Sequence, residues 1–353
     1  MLPPRKLIRR LLLTLPGFEA LCRRLSARHV RVLMYHRFRD DGDVDPRALT
    51  PHDLRAHCRL IRRHHPFWTP DAQLAATQTA WPAGARAPVV ITVDDGYVDF
   101  HRFAFPVFRE LGVPVTLFLT TGFADGVTWM WWDRLRHIIE AAPAEQCATT
   151  LAGCELALDL RDAAGRESAW NAVADRLRFL PDPDLQSALA ALAERLGAPP
   201  PPAPPARFAA VGWDDVREMA RAGVTVGAHT HTHPILTRLS REDARREIET
   251  SRDRLTIELG VPPRWFGYPQ GGPADYDDVV VTLVRQAGFA GAYVGHPPWG
   301  GEGTVYTLPR YSVGADRWDL RWYLCGADHL WLALRRRAGR PAHPPASYWS
   351  GSA

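Results

Sequence analysis

Short apolar runs rich in β-branched residues alternate with helical patterns along most of the chain, and this alternation constrains the fold more than any other feature. The predicted strands cover residues 32–35, 89–93, 115–119, 224–228, 264–268, 290–294 and 305–310. The predicted helices between them cover residues 51–64, 100–111, 214–222, 240–260 and 275–287. Repeated strand–helix units predict a parallel sheet. We therefore expect an α/β fold, a distorted (β/α)7-type barrel, in residues 31–338.

A long stretch, residues 123–210, interrupts the alternation between the third and the fourth predicted strand. It contains a cluster of tryptophans at 129–132, helical patterns at 133–141 and 167–196, and a proline-rich segment at 199–205. Proline-rich segments form stiff, extended connections. We expect a mostly helical insertion on the barrel rather than an independent domain.

Composition excludes several classes of protein. Hydrophobic residues make up 46% and charged residues 23% of the 353 residues, the balance of a globular protein. The net charge of +4 excludes a strongly basic nucleic-acid binder, and we expect no nucleic-acid partner. The five cysteines are odd in number and form no Cys-x-x-Cys pair, which excludes a disulfide scaffold. No apolar run reaches 18 residues, so no transmembrane helix is predicted.

Residues 1–30 combine basic side chains with the apolar run at 11–15, which Pro16 and Glu19 cut short. We expect a basic amphipathic helix that lies on a membrane surface or on the barrel, and the alternative is a helix with a plain docking role. The protein is accordingly expected to be cytoplasmic and membrane-associated, with export to the periplasm as the less favoured alternative. Residues 339–353 are expected to form a flexible tail.

Ionisable side chains occur where predicted strands end. Asp94 and Asp95 follow the second strand, His229 follows the fourth, and His36 follows the first. Since the carboxyl ends of parallel strands gather at one face of a barrel, these distant residues are expected to meet there.

Asp95, His229 and His233 form a plausible metal-binding set of one carboxylate and two imidazoles. Such a set suits Zn²⁺, or another divalent first-row metal, and leaves positions open for water and substrate. The neighbouring Asp94 is then placed to act as general base. Taken singly, an Asp-Asp-Gly sequence is more often a turn and a pair of histidines more often structural. Their joint placement at two strand ends favours the metal site.

The motif T-V-D-D-G at residues 92–96 resembles the T-F-D-D-G motif of the polysaccharide deacetylases, the NodB-homology family 4 of carbohydrate esterases. The motif H-T-H-T-H-P at 229–234 resembles their H-S/T-x-x-H motif, and the resemblance extends from about residue 33 to residue 310. It implies a metal-dependent deacetylase of an N-acetylated amino sugar, with a carbohydrate substrate and a place in exopolysaccharide biosynthesis. It also implies that Asp94 is the catalytic base and that Asp95, His229 and His233 bind the metal.

A third family motif, R-x-P-Y-G, corresponds to the sequence G-Y-P-Q-G at residues 267–271, so Tyr268, Pro269 and Gln270 are expected at the substrate or oxyanion site. The backbone N–H at the tyrosine position helps to form the family's oxyanion hole, and Gln270 can supply that group. The family's arginine, which orients the base, is replaced by Gly267. Arg310 is expected to supply its charge, and an ordinary ion pair is the alternative.

The family's late leucine-x-histidine motif, which supplies the general acid, is not visible. His36 and His296 could replace it, and the strand-end position favours His36. Trp132 is expected either to stack on a sugar ring or to pack the insertion. Two further functions stay open: hydrolysis of another acyl or amide group, such as O-acetyl, formyl or a cyclic amide, and a catalytically silent carbohydrate-binding protein.

Overall fold

The computed structural model describes residues 4–42, 48–77, 85–143, 145–151, 153–298 and 303–338. The expected tail at 339–353 lies outside the described residues. The chain divides into two compact units. The first comprises residues 1–125 and 210–343, and the second is built from residues 126–209.

The strands, in chain order, are β1 (Arg31–Tyr35), β2 (Phe67–Trp68), β3 (Val89–Val93), β4 (Thr116–Leu119), β5 (Gln146–Leu151), β6 (Cys154–Asp159), β7 (Thr225–Ala228), β8 (Trp265–Gly267), β9 (Gly291–Tyr293) and β10 (Tyr311–Ser312). The helices are α1 (Pro4–Thr14), α2 (Phe18–Leu25), α3 (Pro51–His64), α4 (Pro70–Thr77), α5 (Phe105–Leu111), α6 (Thr121–Ala124), α7 (Trp131–Ala141), α8 (Ala163–Leu177), α9 (Asp182–Arg195), α10 (Trp213–Arg221), α11 (Arg241–Leu259), α12 (Asp278–Gln286), α13 (Arg317–Cys325) and α14 (Ala327–Arg337). A π-helical turn, Phe100–Ala104, precedes α5.

The first unit is built on a parallel sheet with the strand order β10-β1-β3-β4-β7-β8-β9, and β2 also pairs with β3. The segment that leads into β10 closes the sheet: Leu308 bridges to Tyr293 of β9, and Tyr311 pairs with Leu33 of β1. All five residues of β1 and of β3 are buried, because helices and the barrel interior cover the two faces of the sheet. The predicted distorted (β/α)7-type barrel is confirmed.

The last predicted strand is misplaced. Residues 305–310 make one bridge at Leu308, and the regular pairing begins only at Tyr311. Pro309 has no N–H to donate to a strand ladder, which limits pairing in the predicted stretch. The short strand β2 was not predicted.

Helix caps follow the local sequence closely. Thr50 caps α3 in a capping box with Asp53, and the side chain of Ser240 accepts a hydrogen bond from the N–H of Asp243 at the start of α11. The cap of α12 is Asp277, two residues after the predicted start of that helix at Asp275, whose carboxylate accepts the N–H of Gly272.

The expected single helix in residues 1–30 is wrong in detail, because the chain forms two helices there. Gly17, with φ of 77°, separates α1 from α2 just after Pro16. Both helices pack against α13, and α2 also packs against α14. In the part of the chain that the structure describes, no helix combines the length and the apolar composition needed to span a bilayer.

The second unit has a hydrophobic cluster of its own, to which α7, α8 and α9 contribute. Strands β5 and β6 form an antiparallel hairpin in which Gln146 pairs with Asp159. The sequence predicted helices here but not this hairpin. The helical stretch expected at 167–196 is two helices, because the chain turns at Pro181 before α9.

Candidate active site

Two strand ends of the first unit place four ionisable side chains together. Asp94 and Asp95 directly follow β3, where the N–H of Asp94 continues the sheet by donating to the carbonyl of Tyr35. His229 directly follows β7, and His233 lies one short turn beyond it. All four side chains are less than a tenth exposed. The topology of a parallel barrel therefore produces the convergence that the sequence predicted.

Asp95, His229 and His233 present their ligand atoms to one another. The Oδ1 atom of Asp95 lies 3.6 Å from Nε2 of His229 and 3.4 Å from Nε2 of His233. One ligand atom from each residue lies within 4.8 Å of the other two. Two imidazole nitrogens and a carboxylate oxygen form a donor set that fits Zn²⁺ and other divalent first-row metals.

The ring of His229 is oriented by the backbone of β8. Its Nδ1 atom donates to the carbonyl of Gly267 at 2.7 Å, which leaves Nε2 directed toward Asp95. Metal-binding histidines are commonly fixed in this way by a hydrogen bond from the second ring nitrogen. Gly267 has no room for a side chain, because a Cβ atom would lie 2.9 Å from Cγ of Phe118 and 3.1 Å from Nδ1 of His229.

The backbone at this site adopts an unusual conformation. Four residues other than glycine have a positive φ in the described part of the chain: Asp95 at 75°, Thr230 at 62°, His233 at 66° and Gln270 at 58°. Residues other than glycine rarely adopt this left-handed conformation, and the backbone strain that it causes is concentrated at functional sites. All four belong to the three motifs that the sequence singled out.

Asp94 is paired with Arg310, the residue that the sequence offered as a replacement for the family's arginine. Nη1 of Arg310 lies 2.6 Å from Oδ1 of Asp94, and its Nε donates to the carbonyl of Val294 at 3.0 Å. Burial raises the pKa of the Asp94 carboxyl, but the charges of Arg310 and His229 outweigh it and hold that pKa below its usual value. Asp94 therefore stays ionised although it is buried.

The two histidines considered as general acid have different surroundings. His36 directly follows β1 and is half-buried, and it is among the groups that lower the pKa of Asp94 and Asp95 against the opposing effect of burial. His296 is buried, with Nδ1 2.7 Å from the carbonyl of Pro297 and Nε2 2.9 Å from the hydroxyl of Tyr276. Both ring nitrogens of His296 thus have protein partners, whereas His36 follows β1, the strand that pairs with β3 and ends beside Asp94.

The third motif divides into buried and exposed residues. Tyr268 is 1% exposed, stacks on Tyr276, and donates its hydroxyl to the carbonyl of Tyr306 at 3.0 Å. The side chain of Tyr268 is therefore a packing element, a correction to its expected place at the substrate site. Pro269 is buried as well, and Gln270 is exposed. The backbone role of Gln270 remains a prediction.

Trp132 lies in the second unit, at the start of α7, and packs against the hydrophobic cluster of that unit. Its carbonyl accepts a hydrogen bond from the indole of Trp170 at 3.1 Å. This packing is one of the two roles that the sequence left open, and the sugar contact remains a prediction.

The sequence missed Glu247 of α11, which supports the loop between His229 and His233. Its Oε2 accepts the backbone N–H groups of His231 and Thr232, both at 2.8 Å, and its Oε1 accepts the Thr232 hydroxyl at 2.7 Å. His231 itself places Nδ1 3.0 Å from the hydroxyl of Thr121 and is not part of the ligand set. A glutamate on a charged helix carries no sequence signal of this role.

A second set of potential ligands, His101, Asp215 and Glu218, lies toward the surface. Nδ1 of His101 is 3.8 Å from Asp215, while its Nε2 is 3.2 Å from Glu218. One ligand atom from each of the three residues lies within 4.8 Å of the other two, but the set is partly exposed, and exposed acidic groups commonly lie together without a metal.

The family model described as polysaccharide deacetylase matches residues 177–292, a stretch that includes His229 and His233 but not Asp94 and Asp95. No curated protein matches the chain by sequence.

Solved structures share the fold at low sequence identity. The deacetylase PplD of Streptococcus pyogenes, determined with acetate, aligns at a TM-score of 0.51 and 15% identity, over 81% of this chain and 93% of PplD. IcaB of Ammonifex degensii aligns at 0.51 and 18%, over 84% of this chain and 97% of IcaB. A de-N-acetylase of Aggregatibacter actinomycetemcomitans aligns at 0.50 and 15%, over 81% and 95%. The chain therefore shares the fold of these deacetylases, and the family model matches the part of it that carries His229 and His233.

Proposed function

We propose that the protein is a metal-dependent hydrolase that removes the N-acetyl group from an amino sugar in a polysaccharide, an oligosaccharide or a lipid-linked glycan. The observation that carries the proposal is the buried set of Asp94, Asp95, His229 and His233, with Arg310 on the first of them. This set contains a charged base and three metal ligands in one place, which is what hydrolysis of an amide requires.

Asp95, His229 and His233 would hold the metal, with Zn²⁺ as the first choice and other first-row divalent ions as alternatives. The chemistry that such an ion supplies when bound is that of a Lewis acid, which polarises the acetyl carbonyl and acidifies the attacking water. Gly267 fixes the His229 ring through its carbonyl, and Glu247 fixes the loop that carries His233.

Asp94 would act as the general base that takes a proton from the attacking water. Its Oδ1 is engaged by Arg310, while its Oδ2 faces the ligand set, 4.0 Å from Nε2 of His229. One carboxylate oxygen is thus held by a cation and the other is directed to where the water must lie. General-base catalysis by a positioned carboxylate contributes about 10²- to 10⁴-fold to the rate.

The backbone N–H of Gln270 would stabilise the oxyanion of the tetrahedral intermediate, and His36 would protonate the departing amine. The positive φ of Gln270 supports this assignment, since backbone strain of this kind concentrates at functional sites. An amide is the favoured substrate because one neighbour in fold is a de-N-acetylase, and because a departing amine needs the acid that His36 offers.

The test is acetate release from chito-oligosaccharides and from bacterial glycan extracts, with metal-stripped protein, with zinc restored, and with two variants. Asp95→Ala should lose both metal and turnover. Asp94→Asn should keep the metal and lose turnover about 10²-fold or more. Full activity in Asp95→Ala or in His229→Ala would refute the proposal. Acetate release from O-acetylated glycans alone would keep the chemistry and change the substrate, and a folded protein that binds no metal would favour the silent carbohydrate-binding alternative.

A further inference from the structure

The exposed apolar side chains of the first unit are concentrated on three helices that pack together. In the part of the chain that the structure describes, thirteen large hydrophobic residues are exposed, and eight of them lie on α1, the turn after it, α2 or α14. These eight are Leu7, Ile8, Leu11, Leu15, Leu21, Leu25, Trp331 and Leu334. Single exposed leucines need no explanation, but such a concentration on adjoining helices marks an interaction surface.

Helix α1 has apolar side chains on two sides. Leu13 is buried and Leu12 packs against the core, whereas Leu7, Ile8 and Leu11 are exposed. The charged side chains of α1 face the protein: Nζ of Lys6 lies 3.0 Å from Asp319, and Nη2 of Arg10 lies 3.0 Å from Asp316. Arg9 pairs with Asp319 as well and lies 3.7 Å from Asp328. The leucines on the other side of the helix are more than half exposed.

The second apolar side of α1 has a physical reason if water does not cover it. An amphipathic helix ordinarily buries its apolar residues and exposes its charges, because burying apolar area is favourable and burying charges is costly. Here Asp316, Asp319 and Asp328 pair with the cations of α1, while Leu7, Ile8 and Leu11 stay exposed. The arrangement suits a helix whose outer face enters a second apolar phase.

The charges beside the exposed leucines indicate that this apolar phase is a lipid bilayer. On α2, the exposed Arg24 lies between the exposed Leu21 and Leu25 in the sequence, and the exposed Arg28 follows the end of the helix. On α14, Trp331 and Leu334 are followed by the exposed Arg337. Apolar side chains with a tryptophan and flanking arginines match the interface of an anionic phospholipid bilayer, where cations near the surface are attracted to the lipid phosphates.

We propose that α1, α2 and α14 dock the first unit on the surface of a membrane that contains anionic phospholipids. The leucines of α1 and α2 enter the headgroup and acyl boundary, and the arginines contact lipid phosphates. The helices lie on the membrane and do not cross it. The proposal is independent of the chemistry at Asp94 and stands or falls separately from it.

Flotation of the full chain with vesicles tests the proposal. The wild-type protein should bind vesicles of phosphatidylcholine with phosphatidylglycerol and bind pure phosphatidylcholine weakly. The double variant Leu11→Gln, Leu15→Gln should lose about tenfold or more in partitioning. The matched control is Ile257→Gln, Val261→Gln, which changes equally exposed apolar residues at the end of α11 and should bind as the wild type does. Arg24→Gln with Arg28→Gln should remove the preference for anionic vesicles.

Circular dichroism and thermal melting establish that each variant is folded, and no substitution touches a buried side chain. Wild-type protein that binds neither type of vesicle would overturn the proposal. An equal loss of vesicle binding in the Leu11→Gln, Leu15→Gln variant and in the Ile257→Gln, Val261→Gln control would overturn it as well. If the wild-type protein is a dimer in lipid-free solution and the Leu11→Gln, Leu15→Gln variant is a monomer, the surface binds a second copy of the chain and the proposal is overturned.

Discussion

Nη1 of Arg310 lies 2.6 Å from Oδ1 of Asp94, and both side chains are almost wholly buried. The pair joins the segment that closes the barrel to the end of β3. The deacetylase motif would place an arginine at position 267, but a side chain there would meet Phe118 and His229. The cation beside the base therefore comes from another part of the sheet.

Replacement of Arg310 by lysine is expected to lower kcat about 10²-fold while the metal content is retained. Lysine carries a point charge on a flexible stem and cannot hold both Asp94 and the Val294 carbonyl as the guanidinium does. The measurements are turnover of an N-acetylated sugar and metal content, with the exposed Arg264→Lys as control. A kcat equal to that of the wild type would show that Arg310 does not position the base.

Gly267→Ala is expected to weaken metal binding about tenfold or more. The added Cβ would lie 2.9 Å from Cγ of Phe118 and 3.1 Å from Nδ1 of His229, so the histidine ring must move. Gly314→Ala is the matched control, since nothing lies within 4 Å of its added Cβ. Titration with zinc compares the two variants, and equal affinities would contradict the prediction.

Glu247→Gln is expected to lower metal affinity and turnover together, about 10- to 100-fold. Two backbone N–H groups and one hydroxyl donate to this carboxylate, and an amide group offers one oxygen in place of two. Glu249→Gln, on the same helix, removes only a surface ion pair with Arg245 and should change neither quantity. If both variants behave alike, the loop does not depend on Glu247.

His36→Asn is expected to lower kcat about 10²-fold or more, and His296→Asn is expected to act mainly through stability. His36 lies at the end of β1, beside the strand that leads to Asp94, whereas His296 holds Tyr276 and the Pro297 carbonyl in place. Comparing kcat with the melting temperature for both variants separates the roles. A large loss of kcat with unchanged stability in His296→Asn would reverse the assignment.

Two buried histidines predict a loss of stability in mild acid. Burial lowers the pKa of His57 to about 4 and the pKa of His65 to about 4. Since the unfolded chain takes up these protons near pH 6.5, the stability that each neutral ring contributes is complete above pH 6.5 and is lost as the pH falls toward 4. Between pH 7 and pH 5 the loss is about 2 kcal/mol for each histidine.

The corresponding measurement is the free energy of unfolding in urea at pH 7 and at pH 5. His57→Leu should have a smaller difference between the two values than the wild type, and the exposed His52→Leu should have the same difference. An unaltered difference in His57→Leu would show that the protein accommodates the charged ring.

Local signals were enough to predict the parallel barrel and most of the ligand set. Runs of β-branched residues indicate β1, β3 and β7. Because the carboxyl ends of strands in a parallel sheet lie at one edge, the proximity of Asp94, Asp95 and His229 can be predicted from the sequence. The caps Thr50 and Ser240 depend on residues three positions away and were equally accessible.

What the sequence left undecided depends on contacts between distant residues. Arg310 and Asp94 are 216 positions apart, so an ion pair elsewhere was an equal alternative. Glu247 acts through backbone groups, which leave no trace in the residue types around it. The burial of Tyr268 follows from its stacking on Tyr276 and from the position of Tyr306, which only the folded chain determines.

The left-handed backbone at Asp95 and His233 also bears on how this protein could evolve. Each such residue costs of the order of 1 kcal/mol that glycine would avoid. A descendant that did not need these side chains would become more stable by exchanging them for glycine. The two positions therefore carry a standing trade-off between stability and the proposed activity, and attempts to stabilise the protein should leave them unchanged.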